Sequence, residues 1–498
     1  MPTLFEYFVP ENFIPLEKPL PLSSVLTTRK ANNVAKERPI YDGRIYIPGT
    51  FGRGANEPWI EIDLKWTNII VNRLFLKHLA LHVTALAAKN GIQQIQWSLS
   101  YPSAFSRADK TRYARNWQDL TEELQAKTGI SQICPQQDNL TYFRTESVAT
   151  AQYFADQEGH NLVNSTCIDM GGGTSDISIW EADTDRFQLV HQCSVQLAGR
   201  HLFSQFLELN PGFLVEKFGV NTSEWQGLKE GNFHAKLDVL LRLESENWLK
   251  KRDFLEEDPQ FQGLLRLMAI GTAGLYYYVG ILLQVLYEKD RYSRPEITPV
   301  YIGGNGSRLL NWLAIGGRFD RHSEVNELFS RMLSKASGFP DTNEITRLST
   351  RPKDEVACGL VLDRTPLGGI ISKKPEPVIA GEDCEVNGKP ISWKDYLELE
   401  GDITGFDMPQ LQEVPAFLNE FNTAVKEIDI QGLKPMPAFK NGELESSYKD
   451  RLWREVHKEL RTNLVHIRGD SENIRVEPPF ILGLKALLRV LGKEWAGK

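Results

Sequence analysis

The sequence predicts an α/β protein in which helices cover mixed sheets. Three observations predict it. Between residues 64 and 365, apolar runs of strand length alternate with longer segments of helical period. Three strand-like runs, 162–170, 175–182 and 186–195, follow one another with no helix between them, as a meander does. Glycine and proline fall where segments should stop, at Gly91, Pro102 and Gly129. A chain of 498 residues is too long for one core and implies about two to four domains.

The first element, 64–90, places apolar residues three and four apart and stops at Gly91, which predicts a helix. "IQQIQWSLSYP" (92–102) is a strand stopped by proline, and 106–128 a second helix. "DNLTYFRTESVATAQYFADQ" (138–157) is a short strand running into a helix from about Glu146. After the meander, "GRHLFSQFLEL" opens a helix behind Gly199, 235–257 is a charged amphipathic helix, and 259–288 an apolar one. In "PVYIGGNGSRLLNWL" (299–313) a strand leads directly into a helix, and 353–364 is a further short helix. Beyond 365 the texture becomes Pro- and Gly-rich. "EVNGKPISW" (385–393) is a hairpin with an Asn-Gly turn, polar helices follow, and 478–495 is a final apolar helix. Residues 366–498 are therefore read as an accessory module with a docking role toward a protein partner.

Charge and cysteine usage narrow the function classes. A net charge of −8 disfavours a nucleic-acid binder that relies on phosphate neutralisation. Five cysteines without a CxxC pair fit a reducing, cytoplasmic setting. The N-terminus has no signal-peptide pattern. One stretch, Leu267–Tyr287, carries no charge along its whole length and is long enough to cross a bilayer. Its three glycines, its glutamine and its three adjacent tyrosines predict a buried core helix instead of a membrane span. His78 and His82 share a helix face, but Leu79 stands where a zinc-protease motif has glutamate, so they read as ordinary helix-face residues.

The stretch most in need of explanation is "TCIDMGGGTSDISIW" (166–180), where three glycines interrupt an apolar run. Two strands joined by Gly171, Gly172, Gly173 and Thr174 make a hairpin whose turn lacks bulky side chains. Consecutive glycines can take φ > 0, turn their N–H groups inward as an anion nest, and admit a phosphate against the backbone. Asp169, just before the turn, can hold a hydrated divalent metal, since magnesium keeps several waters and takes few carboxylates. Thr174 offers a hydroxyl beside it, and Asp176 is a second carboxylate. The alternative is a structural hairpin whose glycines only satisfy turn geometry.

The run "IDMGGGTSDISI" resembles the second phosphate-binding hairpin, D-x-G-G-G-T-x-D, of the actin, heat-shock chaperone and sugar-kinase ATPase superfamily. "TESVATAQY" is similar to the family's connecting helix, whose leading glutamate matches Glu146, with Ser147 in place of the usual proline. "PVYIGGNGSRLL" resembles the adenosine motif, and its Gly303 follows Asp169 at a spacing compatible with the family's second lobe. "LAGRHLFSQFL" and "DEVACGLVL" are similar to two further family helices. The resemblance covers about residues 20–365. It implies a two-lobed actin-like ATPase fold with ribonuclease H-like mixed sheets, a first lobe over 1–160 and a second over 161–365. It also implies ATP or ADP with Mg²⁺: phosphates at Gly171–Thr174, adenosine at Gly303, Gly304, Gly306 and Ser307, metal-bound water at Asp169, and attacking water oriented by Glu146 and Thr174. Helix-end N–H groups at the adenosine motif would add to the phosphate site.

One family part is missing. Residues 1–60 hold no D-x-G-T hairpin, and "PLPLSSVLTT" (19–28) resembles the strand that follows it. The expectation is a chain starting just after that hairpin, and no lysine matches the chaperones' catalytic one. Two readings follow: an ATPase whose lobes open and close, or a catalytically impaired nucleotide-binding scaffold or filament subunit that self-associates. A small-molecule kinase is a third, with no substrate signature in the residues. The segment 366–498 does not resemble a chaperone's peptide-binding sandwich.

Overall fold

Helices α1 (Ile69–Lys89) and α2 (Arg107–Thr128) each end beside the glycine that the sequence marks as their stop, Gly91 and Gly129. The computed structural model describes residues 69–497, apart from 184–185, 221–229, 343–344, 362–366, 369–377, 398, 400, 438, 441–442 and 472–475. The segments 19–28 and 40–54, and any first phosphate hairpin, lie outside the described residues, as does the His78 side chain. The described residues divide into two compact units, one falling within 1–100, 109–144 and 227–242, the other within 101–108, 145–226 and 243–498. The described residues of 145–160 and of 366–498 belong to the larger unit.

In the smaller unit, strands Gln94–Gln96 and Ser131–Ile133 pair in parallel. Trp97 packs on Trp117 of α2 with ring centroids 5.0 Å apart, and its Nε1 donates to Gln132 Oε1 at 2.8 Å. The expected strand over 92–102 is broken after Gln96 and resumes at Leu99–Tyr101.

The larger unit is a mixed α/β structure built on a six-stranded sheet. Its strands are β1 (Ser165–Met170), β2 (Ser175–Asp183), β3 (Arg186–Val195), β4 (Val300–Gly303), β5 (Thr346–Leu348) and β6 (Leu367–Gly368), in the order β6-β3-β2-β1-β4-β5. β1, β2 and β3 form the expected antiparallel meander, while β4 joins β1, and β5 joins β4, in parallel. Helix α3 (Glu146–Asp156) precedes β1 and packs against the helix Glu355–Val361.

Helix α4 (Pro259–Glu288) starts at its Asp258 cap, whose side chain accepts from Phe261 N at 2.9 Å, and is buried along nearly its whole length. Its three tyrosine hydroxyls find partners inside the unit. Tyr276 meets Thr346 Oγ1 at 2.8 Å, Tyr277 donates to Glu413 Oε2 at 3.2 Å, and Tyr278 donates to Ile379 O at 2.9 Å. Gly280 lets α5 (Glu324–Ser337) approach: a Cβ there would stand 2.5 Å from Leu333 O. The apolar run is thus a core helix, as the glycines and tyrosines predict.

Helix α6 (Glu355–Val361) returns toward α3, and α7 (Glu413–Ile428), α8 (Ser446–Leu464) and α9 (Pro479–Trp495) complete the unit, with α9 packed on α4. The hairpin Cys384–Val386/Lys389–Ile391 turns through Asn387 and Gly388 at φ 52° and 75°, as its Asn-Gly signal predicts. Two expected helices differ. The segment after Gly199 begins as a π-turn (Arg200–Ser204) before one α-turn (Gln205–Leu209). The segment after Gly304 is a 3₁₀ turn (Asn305–Leu309) followed by a single α-turn (Leu310–Leu313).

Candidate functional site

The site forms at the edge of the sheet where β1 and β4 end and β2 begins. Antiparallel register sets Asp169 opposite Asp176, and parallel register sets Asp169 beside Gly303. The glycine loop continues the ladder by one step, with Gly171 N donating to Thr174 O at 2.8 Å. The carbonyls of Gly171 and Gly172 accept from Gly199 N at 3.3 Å and Arg200 N at 2.7 Å. Neither Gly171 nor Gly172 takes the positive φ expected for an anion nest. The reason is local: the ladder uses the first N–H, and the docked 199–200 backbone fixes the carbonyls. Gly172 remains exposed, with no atom within 4 Å of where a Cβ would stand.

The second glycine motif packs directly on the first. Gly304, at φ 77°, has Asp169 Oδ1 and Met170 O where a Cβ would be, and Gly306 has Gly171 O. A Cβ on Gly303 would lie 2.6 Å from Glu355 Oε1. Ser307 is buried and turns its hydroxyl back to Gly304 O at 2.8 Å. The glycines of "GGNGS" therefore bring backbone against backbone. The expected helix N-terminus is a 3₁₀ turn, because Gly304 must swing left-handed to seat against Asp169 and Ser307 then closes the turn.

Four carboxylates and one lysine surround this junction. Burial pushes the Asp169 carboxyl up to about 7; Lys353 opposes the rise, while Glu146, Asp176 and Glu355 add to it by repulsion. Glu146 is buried as the first residue of α3, behind the Thr145 cap that holds Val148 N at 3.4 Å and Gln192 Oε1 at 2.7 Å. Asp176 accepts from Ser103 N at 3.4 Å and Ser103 Oγ at 3.1 Å. Glu355, whose own carboxyl burial also raises, bridges two loops: Oε1 takes Gly304 N at 3.0 Å and Oε2 takes Lys353 N at 2.6 Å. Lys353 is exposed and held at φ 91°, an uncommon conformation for a residue with a side chain.

The structure thus brings together Glu146, Asp169, Gly171–Thr174, Gly303, Gly304, Gly306 and Ser307 in one unit. Sequence reasoning missed Lys353 and Glu355. Both sit at the start of the segment read only as a further short helix, and no local pattern marks a lysine that acts on Asp169 from a distant part of the chain. Among the described residues no three His, Cys, Asp or Glu side chains form a metal cage. Asp176 and Glu355 already accept protein donors, so a cation here would rest on Asp169 and water. That donor set fits magnesium, which needs few carboxylates, and neutralising the carboxylate cluster would favour it.

No protein-family model matches the sequence, and no curated protein matches it. A solved structure, the ethanolamine utilization protein EutJ from Carboxydothermus hydrogenoformans, is similar at 15% identity, over 60% of this chain and 76% of that one, with a TM-score of 0.31. A likeness at that score shows neither a shared fold nor a shared activity.

Proposed function

We propose that the chain is an actin-like nucleotide-binding protein that holds magnesium-ATP or ADP over Asp169–Thr174. The observation that carries the reading is the junction itself: Asp169 and Gly303 in register, with open space over Gly172. Gly172 would receive the phosphates against its backbone. Asp169 would orient metal-bound water, and Glu146 and Thr174 would position the attacking water. Magnesium, when bound, supplies charge neutralisation at the phosphate oxygens. Lys353 adds a positive charge that acts on Asp169 and stands in for the family lysine that the sequence does not match. Phosphoryl transfer needs mainly positioning and charge stabilisation, which such parts provide.

A second reading, a catalytically impaired scaffold, is favoured by a different observation. The faces of Gly303, Gly304 and Gly306 are filled by protein, and Ser307 points inward, so the motif expected to meet adenosine is spent on packing. Titration calorimetry with magnesium-ATP, paired with phosphate-release kinetics, separates the two. The ATPase reading expects binding and turnover that Asp169→Ala abolishes. Binding without turnover supports the scaffold, and no binding removes the nucleotide altogether.

A further inference from the structure

Helix α8 turns Leu452, Val456, Leu460 and Leu464 inward. On another face Arg454, His457, Lys458 and Arg461 recur at i, i+3, i+4 and i+7 and, with Pro409, line an open cleft of about 470 Å³. Of the carboxylates near this stripe, two are engaged elsewhere, while Asp450 and Glu455 stand one turn before Arg454 and Lys458. Glu459 accepts from Lys493 Nζ at 2.7 Å, and Glu494 meets Arg451 at 3.5 Å. Arg454, Lys458 and Arg461 make no ion pair among the described residues. Asp407 acts on His457, while burial and Arg461 hold that imidazole below its usual range. Three permanent cations thus stand along one cleft of a chain whose net charge is −8.

We infer that this cleft docks an acidic segment of a partner protein. Residues 454 to 461 span about 10 Å of helix, a length that matches carboxylates on alternate residues of an extended strand. Guanidinium forks at both ends suit bidentate carboxylate pairing. The cleft is open and walled by one proline, so it would not enclose a small phosphate ester. A nucleic-acid strand would meet the acidic remainder of the chain. The inference stands apart from the nucleotide reading.

The test uses the full chain and a fluorescein-labelled peptide of alternating glutamate and serine, followed by fluorescence anisotropy at low salt. Arg454→Glu/Lys458→Glu is compared with Lys250→Glu/Lys251→Glu, an equal charge change on exposed lysines elsewhere, and thermal melts confirm that both variants fold. The expected result is a loss of about tenfold or more in affinity for the cleft variant and less than about twofold for the control. Equal losses in both variants would overturn the inference, as would tighter binding of a single-stranded oligonucleotide or displacement of the peptide by equimolar inorganic phosphate.

Discussion

At the scale of single residues, the glycines of the site divide into two kinds, and substitution tells them apart. Gly306 has the Gly171 carbonyl where a Cβ would go, and backbone yields poorly. Gly306→Ala should therefore lose about 1–3 kcal/mol of stability in urea melts. Gly172 meets nothing within 4 Å and lacks positive φ, so Gly172→Ala should stay within about 0.5 kcal/mol of the parent. If phosphate lies against Gly172, the same substitution weakens magnesium-ATP binding in calorimetry while the melt is unchanged. Unaltered affinity would move the phosphates off this loop. Lys353 supports a similar separation of backbone from charge. At φ 91° a Cβ is strained and glycine is not, so Lys353→Gly should exceed Lys353→Ala in stability by about 1 kcal/mol. Both variants lose the same charge and should lose nucleotide affinity equally.

At the scale of elements, the site depends on how closely α3 and α6 approach, since each begins with one of its carboxylates, Glu146 and Glu355. Gly359 sets that distance, with Ala149 O occupying the place a Cβ would take. Gly359→Ala should separate the helices and loosen both Glu355 hydrogen bonds, a destabilisation of about 2 kcal/mol or more by urea melt. A parent-like melt would mean the helices slide apart at little cost. The same scale explains what the sequence made legible. The β1–β3 meander, α4 and the Asn387–Gly388 hairpin were readable because period and turn chemistry are local. The 3₁₀ turn after Gly304 was not, because Asp169, in a far earlier segment of the chain, dictates it. Lys353 and Glu355 escaped for the same reason, since their partners Asp169 and Gly304 lie in other segments of the chain.

At the scale of the whole molecule, buried titrating groups of opposite sense set how stability responds to acid. His191 in β3 is held down to about 3, first by burial and then by Arg291, so the native chain releases a proton that the unfolded chain keeps below 6.5. Its contribution is complete above pH 6.5 and is lost as pH falls toward 3; His82 and His457, also lowered, act in the same direction. Asp169 and Glu382 are pushed up, each to about 7, mainly by burial. Their native forms hold protons that the unfolded chain releases above about 4, so they penalise the fold at pH 7 and cease to do so on acidification. Between pH 7 and 5 the two carboxylates together gain about 5 kcal/mol, while His191 loses about 2 kcal/mol, each figure an upper bound. Carboxylates held low by partners, such as Glu123 and Asp258, contribute nothing in this window, because their losses begin only near the unfolded value. Urea melts without divalent cations should therefore show the chain more stable at pH 5 than at pH 7. Asp169→Asn/Glu382→Gln should make that slope shallower, leaving Glu355 and Glu413, also raised by burial, against the histidines. A slope as steep in the double variant as in the parent would mean that neither carboxylate is protonated in the native state at neutral pH.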